Sequence, residues 1–246
     1  MIQTQIHKWS AEEFERLVLE KVPGVAVFDC DGTIWGGDSG HGFMVWSLEQ
    51  GLVSRESSDW IDTRYRAYLA GQVPEPQICG EMVQLYVGLR EAELRSAAAR
   101  YVEEIVRPHI FPEIESLMKV LAARGAELWA VSSTNKWVVS EGVRELGIPE
   151  NRVLAAEVAV KDGVIGGDLV DVPTDEAKAA ALRRVGRARP DAVFGNSIHD
   201  LAMLQLAVHP YPVNPSHALL EAAAKNGWGF FRPRAAEGPE EAGARQ

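Results

Sequence analysis

The stretch that decides the fold is Val25-Ala26-Val27-Phe28-Asp29-Cys30-Asp31-Gly32-Thr33. Its first four residues form a short, continuous apolar run, which is typical of a strand buried on both faces of a parallel sheet. Asp29 and Asp31 follow the end of that strand, where open α/β sheets bind their ligands. Residues two apart in an extended segment point to the same side, so the two carboxylates are predicted to converge. Such a pair can hold a divalent cation or divide the roles of nucleophile and acid/base.

Helix and strand patterns alternate around this stretch. Upstream, Ser10 and Glu13 have the spacing of a capping box and predict a helix that ends near Lys21. Downstream of Pro112, the patterns predict helices over 113–124, 135–146, 174–185 and 201–207, strands over 128–131 and 192–194, and a hairpin turn at Asp162-Gly163. This alternation is typical of an α/β fold with a parallel sheet.

The segment between the first strand and Pro112 has a different character. From residue 43 to residue 107 the sequence predicts helices and contains no strand-like run. We interpret it as a small helical cap inserted after the first strand. The expected organisation is a core of residues 1–37 and 108–234, a cap of residues 38–107, and a disordered tail of residues 235–246, rich in Glu, Gly and Ala.

Composition and charge limit the possible partners. The 246 residues include 25 Lys and Arg and 35 Asp and Glu, for a formal net charge of −10. This charge repels phosphate backbones and anionic lipid headgroups, so neither nucleic acid nor a membrane surface is an expected partner. No stretch approaches the ~18 consecutive apolar residues of a spanning helix, and the N-terminal residues lack the apolar run of a signal peptide. We therefore expect a cytoplasmic location.

Three further motifs fall at predicted strand ends or helix starts. They are Val131-Ser132-Ser133, Lys178 within Asp175-Glu176-Ala177-Lys178, and Gly195-Asn196-Ser197-Ile198-His199-Asp200. Taken alone, Ser132 fits a helix N-cap and Lys178 fits a solvated helix face. In this order after Asp29 to Thr33, however, the motifs resemble the haloacid dehalogenase superfamily, and more narrowly its phosphoserine-phosphatase-like branch. The resemblance spans Phe28 to Asp200 and implies a modified Rossmann core of three layers around a parallel sheet.

The resemblance implies phosphoryl transfer through an aspartyl-phosphate. Asp29 would attack phosphorus in line, and Asp31 would protonate the leaving oxygen and then activate the hydrolytic water. A carboxylate approaches an anionic phosphate only if a cation and fixed donors screen the repulsion. By the same resemblance, four residues would bind the phosphate: Thr33, Ser132, Ser133 and Lys178.

The same resemblance implies a magnesium site. Mg²⁺ would bridge Asp29, the backbone carbonyl of Asp31, and the last motif through Asn196, with Asp200 acting through a bound water. The family pattern has aspartate at the position of Asn196. An amide oxygen can still ligate magnesium, but the site loses one negative charge, so we expect weaker metal binding.

The second aspartate of the first motif bears on the reaction class. Dehalogenases of the superfamily lack an acid/base at the position of Asp31 and do not need the metal, so the resemblance implies a phosphatase that hydrolyses a small phosphomonoester. Two alternatives stay open. One is a phosphotransferase of the same family, and the other is a phosphometabolite-binding protein weakened by Asn196.

The cap carries the clues to the substrate. In this family a helical cap closes over a small organic phosphate, so a small phosphorylated metabolite is the expected partner. Asp38 matches the acid that contacts the substrate amine in phosphoserine phosphatases, although a loop acid or a helix cap explains it equally well. Glu81 is a candidate for an acidic, aromatic pocket for a quaternary amine, unless the aromatic residues form the cap core. The candidate aromatics are Trp35, Trp46, Trp60, Tyr65, Tyr68 and Tyr86. His199 is a candidate pocket residue. No arginine stands at 80–82, where those enzymes bind the substrate carboxylate, and Arg64, Arg66 and Arg90 are the candidates to substitute for it.

Overall fold

In the computed structural model, which describes residues 6–237, the chain forms eight β-strands and ten α-helices. The strands are β1 (Lys8–Trp9), β2 (Val25–Phe28), β3 (Glu127–Asn135), β4 (Val153–Lys161), β5 (Val164–Asp171), β6 (Ala192–Gly195), β7 (His209–Pro212) and β8 (Phe230–Phe231). The helices are α1 (Ala11–Glu20), α2 (Ser39–Glu49), α3 (Arg55–Leu69), α4 (Glu75–Gln84), α5 (Glu91–Tyr101), α6 (Pro112–Ala123), α7 (Lys136–Arg144), α8 (Glu176–Arg184), α9 (Leu201–Leu204) and α10 (His217–Asn226).

Six strands form the central sheet, in the order β5-β4-β3-β2-β6-β7. All neighbours are parallel except β4 and β5, which form an antiparallel hairpin with Asp162 and Gly163 between them. The strand β2 lies between β3 and β6. The predicted α/β fold with a mostly parallel sheet is confirmed. Asp29 directly follows the carboxyl end of β2, and such folds bind their ligands at the carboxyl ends of the strands.

Both faces of β2 are buried, as its apolar run predicts. Phe28 stacks on Phe194 of β6, with 4.3 Å between the ring centroids, on the face covered by α1, α6 and α7. Val27 lies on the opposite face with Leu182 of α8 and Leu219 of α10. The sheet is therefore the middle layer of three, and its two helical layers bury separate apolar clusters.

The segment between β2 and α6 is helical in the described chain, and its last helix is tied to the core. Trp137 Nε1 of α7 donates a hydrogen bond to Glu91 Oε1 of α5 at 3.2 Å. Arg95 of α5 forms an ion pair with Glu150 at 2.8 Å. The division into a core and a separate cap of residues 38–107 stays a prediction. The helix α5, which belongs to the predicted cap, packs directly on α7, which belongs to the predicted core.

The hairpin of β4 and β5 also holds the inserted helices. The backbone N–H of Gly88 donates to Ile165 O at 2.9 Å, and that of Glu91 donates to Gly163 O at 2.9 Å. Gln84 Nε2, at the end of α4, donates to Gly167 O at 2.6 Å. These hydrogen bonds attach the loop between α4 and α5 to the hairpin, and they fix the position of α4 relative to the central sheet.

The C-terminal segment is described only in part. Residues 234–236 form a 3₁₀ turn, and Glu237 pairs with Lys8 at 3.0 Å. The rest of the predicted disordered tail, residues 238–246, lies outside the described residues. Within residues 6–237, no helix is both long enough and apolar enough to cross a membrane.

Candidate active site

Asp29 is buried at the end of β2, and two side chains orient its carboxylate. Thr33 Oγ1 donates to Asp29 Oδ2 at 2.9 Å, and Lys178 Nζ donates to Asp29 Oδ1 at 2.7 Å. The turn after Asp31 requires Gly32, whose φ is 75° and whose absent Cβ would lie 1.9 Å from the side-chain amide nitrogen of Asn196. Thr33 is fully buried and does not line the cavity. Because its hydroxyl donates its hydrogen to Asp29, the prediction that Thr33 binds phosphate is corrected.

Asp200 positions the lysine, and its action on a metal through a bound water stays a prediction. Its Oδ1 accepts from Lys178 Nζ at 2.6 Å, and its Oδ2 accepts from the backbone N–H groups of Asn196 and Ser197, both at 2.9 Å. The side chain is fully buried. With both oxygens engaged by donors, its role is to hold Lys178 against Asp29.

Two buried carboxylates share one ammonium in this cluster. Burial raises the pKa of Asp29 to about 7, the charge of Asp200 adds to the rise, and Lys178 offsets part of it. Burial opposes the charge on Lys178, but the carboxylates of Asp200 and Asp29 outweigh it and raise the lysine pKa. When both carboxylates are ionised, the cluster carries an excess of negative charge.

Asp31 lies beside this cluster and is held by three donors. Trp35 Nε1 and the backbone N–H of Ser39 donate to its Oδ1 at 2.7 and 2.8 Å, and Thr134 Oγ1 donates to its Oδ2 at 2.6 Å. Burial, with the nearby charge of Asp38, raises the pKa of Asp31. A raised pKa suits a carboxyl group that must deliver a proton near neutral pH. Sequence reasoning named Trp35 only as a candidate pocket aromatic and did not identify Thr134, because neither stands in a motif that links it to Asp31.

The two serines that follow β3's apolar run have different surroundings. Ser132 and Ser133 both line the cavity. Ser132 Oγ accepts from the backbone N–H of Thr134 at 3.1 Å, which leaves its own hydrogen available to a ligand. Ser133 Oγ donates to Glu75 Oε1 at 3.3 Å. Of the predicted phosphate-binding residues, Ser132 and Lys178 are the ones placed to face a phosphate beside Asp29.

The residues at this sheet edge fit a magnesium ion. Hard oxygen donors are available from Asp29, the Asp31 backbone and the Asn196 amide, and all three residues line the same cavity. The buried excess of negative charge around Asp29 also favours a cation there. Within residues 6–237, no group of three or more His, Cys, Asp or Glu side chains is arranged to hold a metal. The site therefore depends on the Asn196 amide and on a backbone carbonyl.

Glu75, which sequence reasoning did not identify, reaches from α4 into the core. Its Oε2 lies 2.6 Å from His199 Nε2, and Thr174 Oγ1 donates to its Oε1 at 2.6 Å. His199 Nδ1 lies 2.7 Å from Asp175 Oδ1. Carboxylates only accept, so both ring nitrogens donate and His199 is an imidazolium. Its pKa is raised to about 9, chiefly by the hydrogen bond to Glu75.

This arrangement defines the contacts that His199 makes in the cavity wall. The side chain lines the cavity, as predicted, but both of its nitrogens are committed to carboxylates. It therefore joins the inserted helices to the last motif instead of contacting the substrate through a nitrogen. The only sequence signal for Glu75 was its place between Pro74 and Pro76 at a helix start.

The other two predicted pocket residues differ in position. Asp38 lines the cavity, caps α2 by accepting from the backbone N–H of His41 at 2.9 Å, and accepts from Tyr65 OH at 2.6 Å. Glu81 does not line the cavity. It forms a two-pronged ion pair with Arg64, at 2.8 Å for each contact, because its position on α4 faces away from the sheet. The prediction that Glu81 belongs to the pocket is wrong.

The fold and the site together define a hydrolase of the α/β class whose buried aspartate, held by a lysine, lies at the carboxyl edge of a parallel sheet. The chain belongs to the haloacid dehalogenase-like hydrolases, and the model of that family matches residues 26–205. The predicted family is thereby confirmed.

Relatives and solved structures agree with this membership. The chain is 26% identical over 221 residues to a probable phosphatase of Mycobacterium tuberculosis, covering 85% of this chain and 76% of the relative. It is 24% identical over 215 residues to a histidinol-phosphatase of Neisseria meningitidis, covering 83% and 96%. A Bordetella pertussis protein of unknown function has a TM-score of 0.74 at 21% identity, covering 84% of this chain and 97% of that one. A substrate-bound phosphoserine phosphatase has a TM-score of 0.58 at 18% identity, covering 85% and 92%. These two structures share the fold.

Proposed function

We propose that this hydrolase is a magnesium-dependent phosphatase that cleaves a small phosphomonoester through a phosphoryl-aspartate on Asp29. The enzyme class is phosphoric monoester hydrolase, as the family and the phosphatase relatives indicate. The observation that carries the finer proposal is the pair of carboxylates after β2, with Lys178 Nζ 2.7 Å from Asp29 Oδ1. That contact places a permanent positive charge where an anionic phosphate must approach an anionic nucleophile.

The two aspartates divide the chemistry. A carboxylate oxygen of Asp29 attacks phosphorus as the bond to the leaving oxygen breaks, and Asp31 gives its proton to that oxygen. Asp31 then takes a proton from water as the water oxygen attacks the phosphoryl-aspartate, which releases phosphate, restores the Asp29 carboxylate and leaves Asp31 protonated for the next cycle. Ser132 donates its hydroxyl hydrogen to a phosphate oxygen throughout. Thr33 and Asp200 keep Asp29 and Lys178 in place.

Magnesium would be held by Asp29, the backbone carbonyl of Asp31 and the amide oxygen of Asn196. When bound, it supplies positive charge that offsets the repulsion between the carboxylate and the phosphate. The missing negative charge at Asn196 weakens this site without removing a ligand.

The substrate is proposed to be a small phosphorylated metabolite, of the amine-bearing kind that the sequence resemblance suggests. The cavity that contains Asp29 has a volume of about 270 Å³ and is lined in part by the inserted helices. Histidinol phosphate and phosphoserine, for which a relative and a neighbouring structure are named, are small phosphomonoesters that carry an amine. A cytoplasmic location stays a prediction.

Phosphate release from p-nitrophenyl phosphate tests metal-dependent catalysis. We expect turnover with Mg²⁺, loss of turnover with EDTA, and recovery when Mg²⁺ is added back. Asn196→Asp restores a charged ligand and is expected to lower the Mg²⁺ concentration for half-maximal activity on the order of tenfold. The matched control is Asn151→Asp, which adds the same charge on an exposed turn outside the cavity.

Three results would count against the proposal. Absence of turnover with every divalent metal would favour the phosphometabolite-binding alternative that Asn196 raises. An identical metal titration for Asn196→Asp and wild type would exclude Asn196 as a ligand. Transfer of the phosphoryl group to an added alcohol in place of water would favour the phosphotransferase alternative.

A further inference from the structure

We infer, on the basis of the proposed phosphatase function, that the substrate is the phosphate ester of a small amino alcohol that carries no carboxylate. Phosphoserine, the substrate of the phosphoserine phosphatase named above, would then be discriminated against. The inference comes from the charges that line the cavity beyond Asp29 and Asp31.

The cavity offers no free cation to a substrate carboxylate. Within the described residues, Lys178 and His199 are the basic side chains that line it. Lys178 is committed to Asp29 and Asp200, and His199 is committed to Glu75 and Asp175. A carboxylate that enters this cavity loses its hydration without gaining an ionic partner, which is strongly unfavourable.

The N-termini of the inserted helices at the cavity do not replace the missing cation. An N-terminus attracts anions through its free N–H groups and its dipole. At α2 this place is taken by the carboxylate of Asp38, which accepts from the N–H of His41 at 2.9 Å. At α4 the first helical residue is Glu75, whose carboxylate is itself in the cavity. Both N-termini therefore already carry a negative charge.

Asp38 is the one pocket carboxylate outside the catalytic cluster whose charge is not balanced within residues 6–237. Glu75 is paired with His199, whereas no Lys, Arg or His of the described chain forms an ion pair with Asp38. Its contacts to Tyr65 OH and the His41 N–H are with neutral donors and use two of about four lone-pair positions on its oxygens. An ammonium group of the substrate completes this site.

The rest of the lining suits the body of an amino alcohol. Tyr65 and Tyr68 line the cavity with their ring centroids 5.9 Å apart, and aromatic faces attract ammonium groups. On α4, Ile78, Met82 and Val83 present apolar surface to the same space. The cavity thus combines an anion, aromatic rings and methyl groups, which is the complement of an alkylammonium.

Phosphoethanolamine and O-phosphoserine provide the direct test, because they differ only by the carboxylate. We expect wild type to favour phosphoethanolamine, or a larger amino-alcohol phosphate such as phosphocholine or histidinol phosphate, by about 100-fold in kcat/KM over phosphoserine. Met82→Arg places a guanidinium on the cavity face of α4. It is expected to raise kcat/KM for phosphoserine at least about tenfold and to lower it for the amino-alcohol phosphates.

The matched control is Val87→Arg, which adds the same charge on an exposed surface of the inserted helices, where Val87 is 49% exposed, and should leave the ratio unchanged. Asp38→Asn should reduce the preference for the amino-alcohol phosphates.

Equal or faster hydrolysis of phosphoserine by wild type, or an unchanged ratio in folded Met82→Arg, would overturn the inference. Turnover of p-nitrophenyl phosphate without turnover of any amino-alcohol phosphate would overturn it and leave the phosphatase function standing. Absence of all turnover would overturn both.

Discussion

Asp29→Asn is expected to abolish phosphate release, by at least about 10⁴-fold in kcat, and to leave the protein folded. An amide cannot form the phosphoryl-aspartate, while the isosteric side chain still fits against Thr33 and Lys178. Lys178 keeps Asp200 as its partner at 2.6 Å, so the change leaves one ammonium facing one carboxylate. The variant is therefore a test of the nucleophile that is not confounded by unfolding.

The same change has a pH-dependent effect on stability. Because burial raises the pKa of Asp29 from 3.8 to about 7, the folded protein binds this proton more tightly than the unfolded chain. Ionisation of Asp29 therefore destabilises the metal-free wild type as pH rises from about 4 to about 7. The introduced amide does not ionise, so metal-free Asp29→Asn is expected to have a Tm at least equal to that of wild type at pH 8. The difference should shrink toward pH 4.

Asp162→Asn makes the same chemical change at the exposed hairpin turn and serves as the control. It should match wild type in both activity and Tm. Retained turnover in Asp29→Asn would refute the nucleophile assignment. A large loss of Tm at pH 8 would refute the electrostatic account of the cluster.

Lys178→Met is expected to be the most destabilising single change in the site. It removes the ammonium and leaves the buried carboxylates of Asp29 and Asp200 facing each other without a cation. Breaking a buried ion pair in this way typically costs about 3–5 kcal/mol of unfolding free energy. Activity should fall by at least about 100-fold, because the phosphate loses its fixed positive charge. Denaturant unfolding of metal-free protein and phosphate release measure the two effects.

A double variant separates stability from catalysis at this position. Lys178→Met with Asp200→Asn removes one of the two stranded carboxylates, so it should recover much of the unfolding free energy without recovering activity. Lys161→Met, on the exposed end of β4, is the control and should change neither quantity. If Lys178→Met were as stable as wild type, or if the double variant regained turnover, the proposed role of Lys178 would be wrong.

Sequence reasoning succeeds here where local pattern and structure agree. The apolar run of Val25 to Phe28 forms the central strand, and Ser10 caps α1 by accepting from the N–H of Glu13 at 3.1 Å. Sequence reasoning fails where a polar segment continues a strand beyond its apolar run. β3 continues to Asn135, beyond its predicted end at Val131, because its polar end still pairs with β4 after an irregularity in the register.

The same distinction between local pattern and tertiary structure applies to the residues of the site. Asp29 and Asp31 follow from their place after a strand, but the role of Asp200 depends on which donors the fold presents to it. Glu75 contacts Thr174, 99 residues away in sequence, so no local pattern indicates it. Glu81 is acidic and close to Glu75 in sequence, yet the helical period turns it toward Arg64.

The most direct measurement of the central claim is mass spectrometry of protein quenched in acid during turnover. Asp31→Asn with p-nitrophenyl phosphate and Mg²⁺ is the form to use, because p-nitrophenolate leaves without a proton from Asp31 whereas water needs Asp31 to attack the phosphoryl-aspartate. The account predicts one phosphoryl group, located on Asp29 in the peptide that contains it. A phosphoryl group on another residue, or turnover by wild type with no phosphoryl group on Asp29 in either protein, would contradict it.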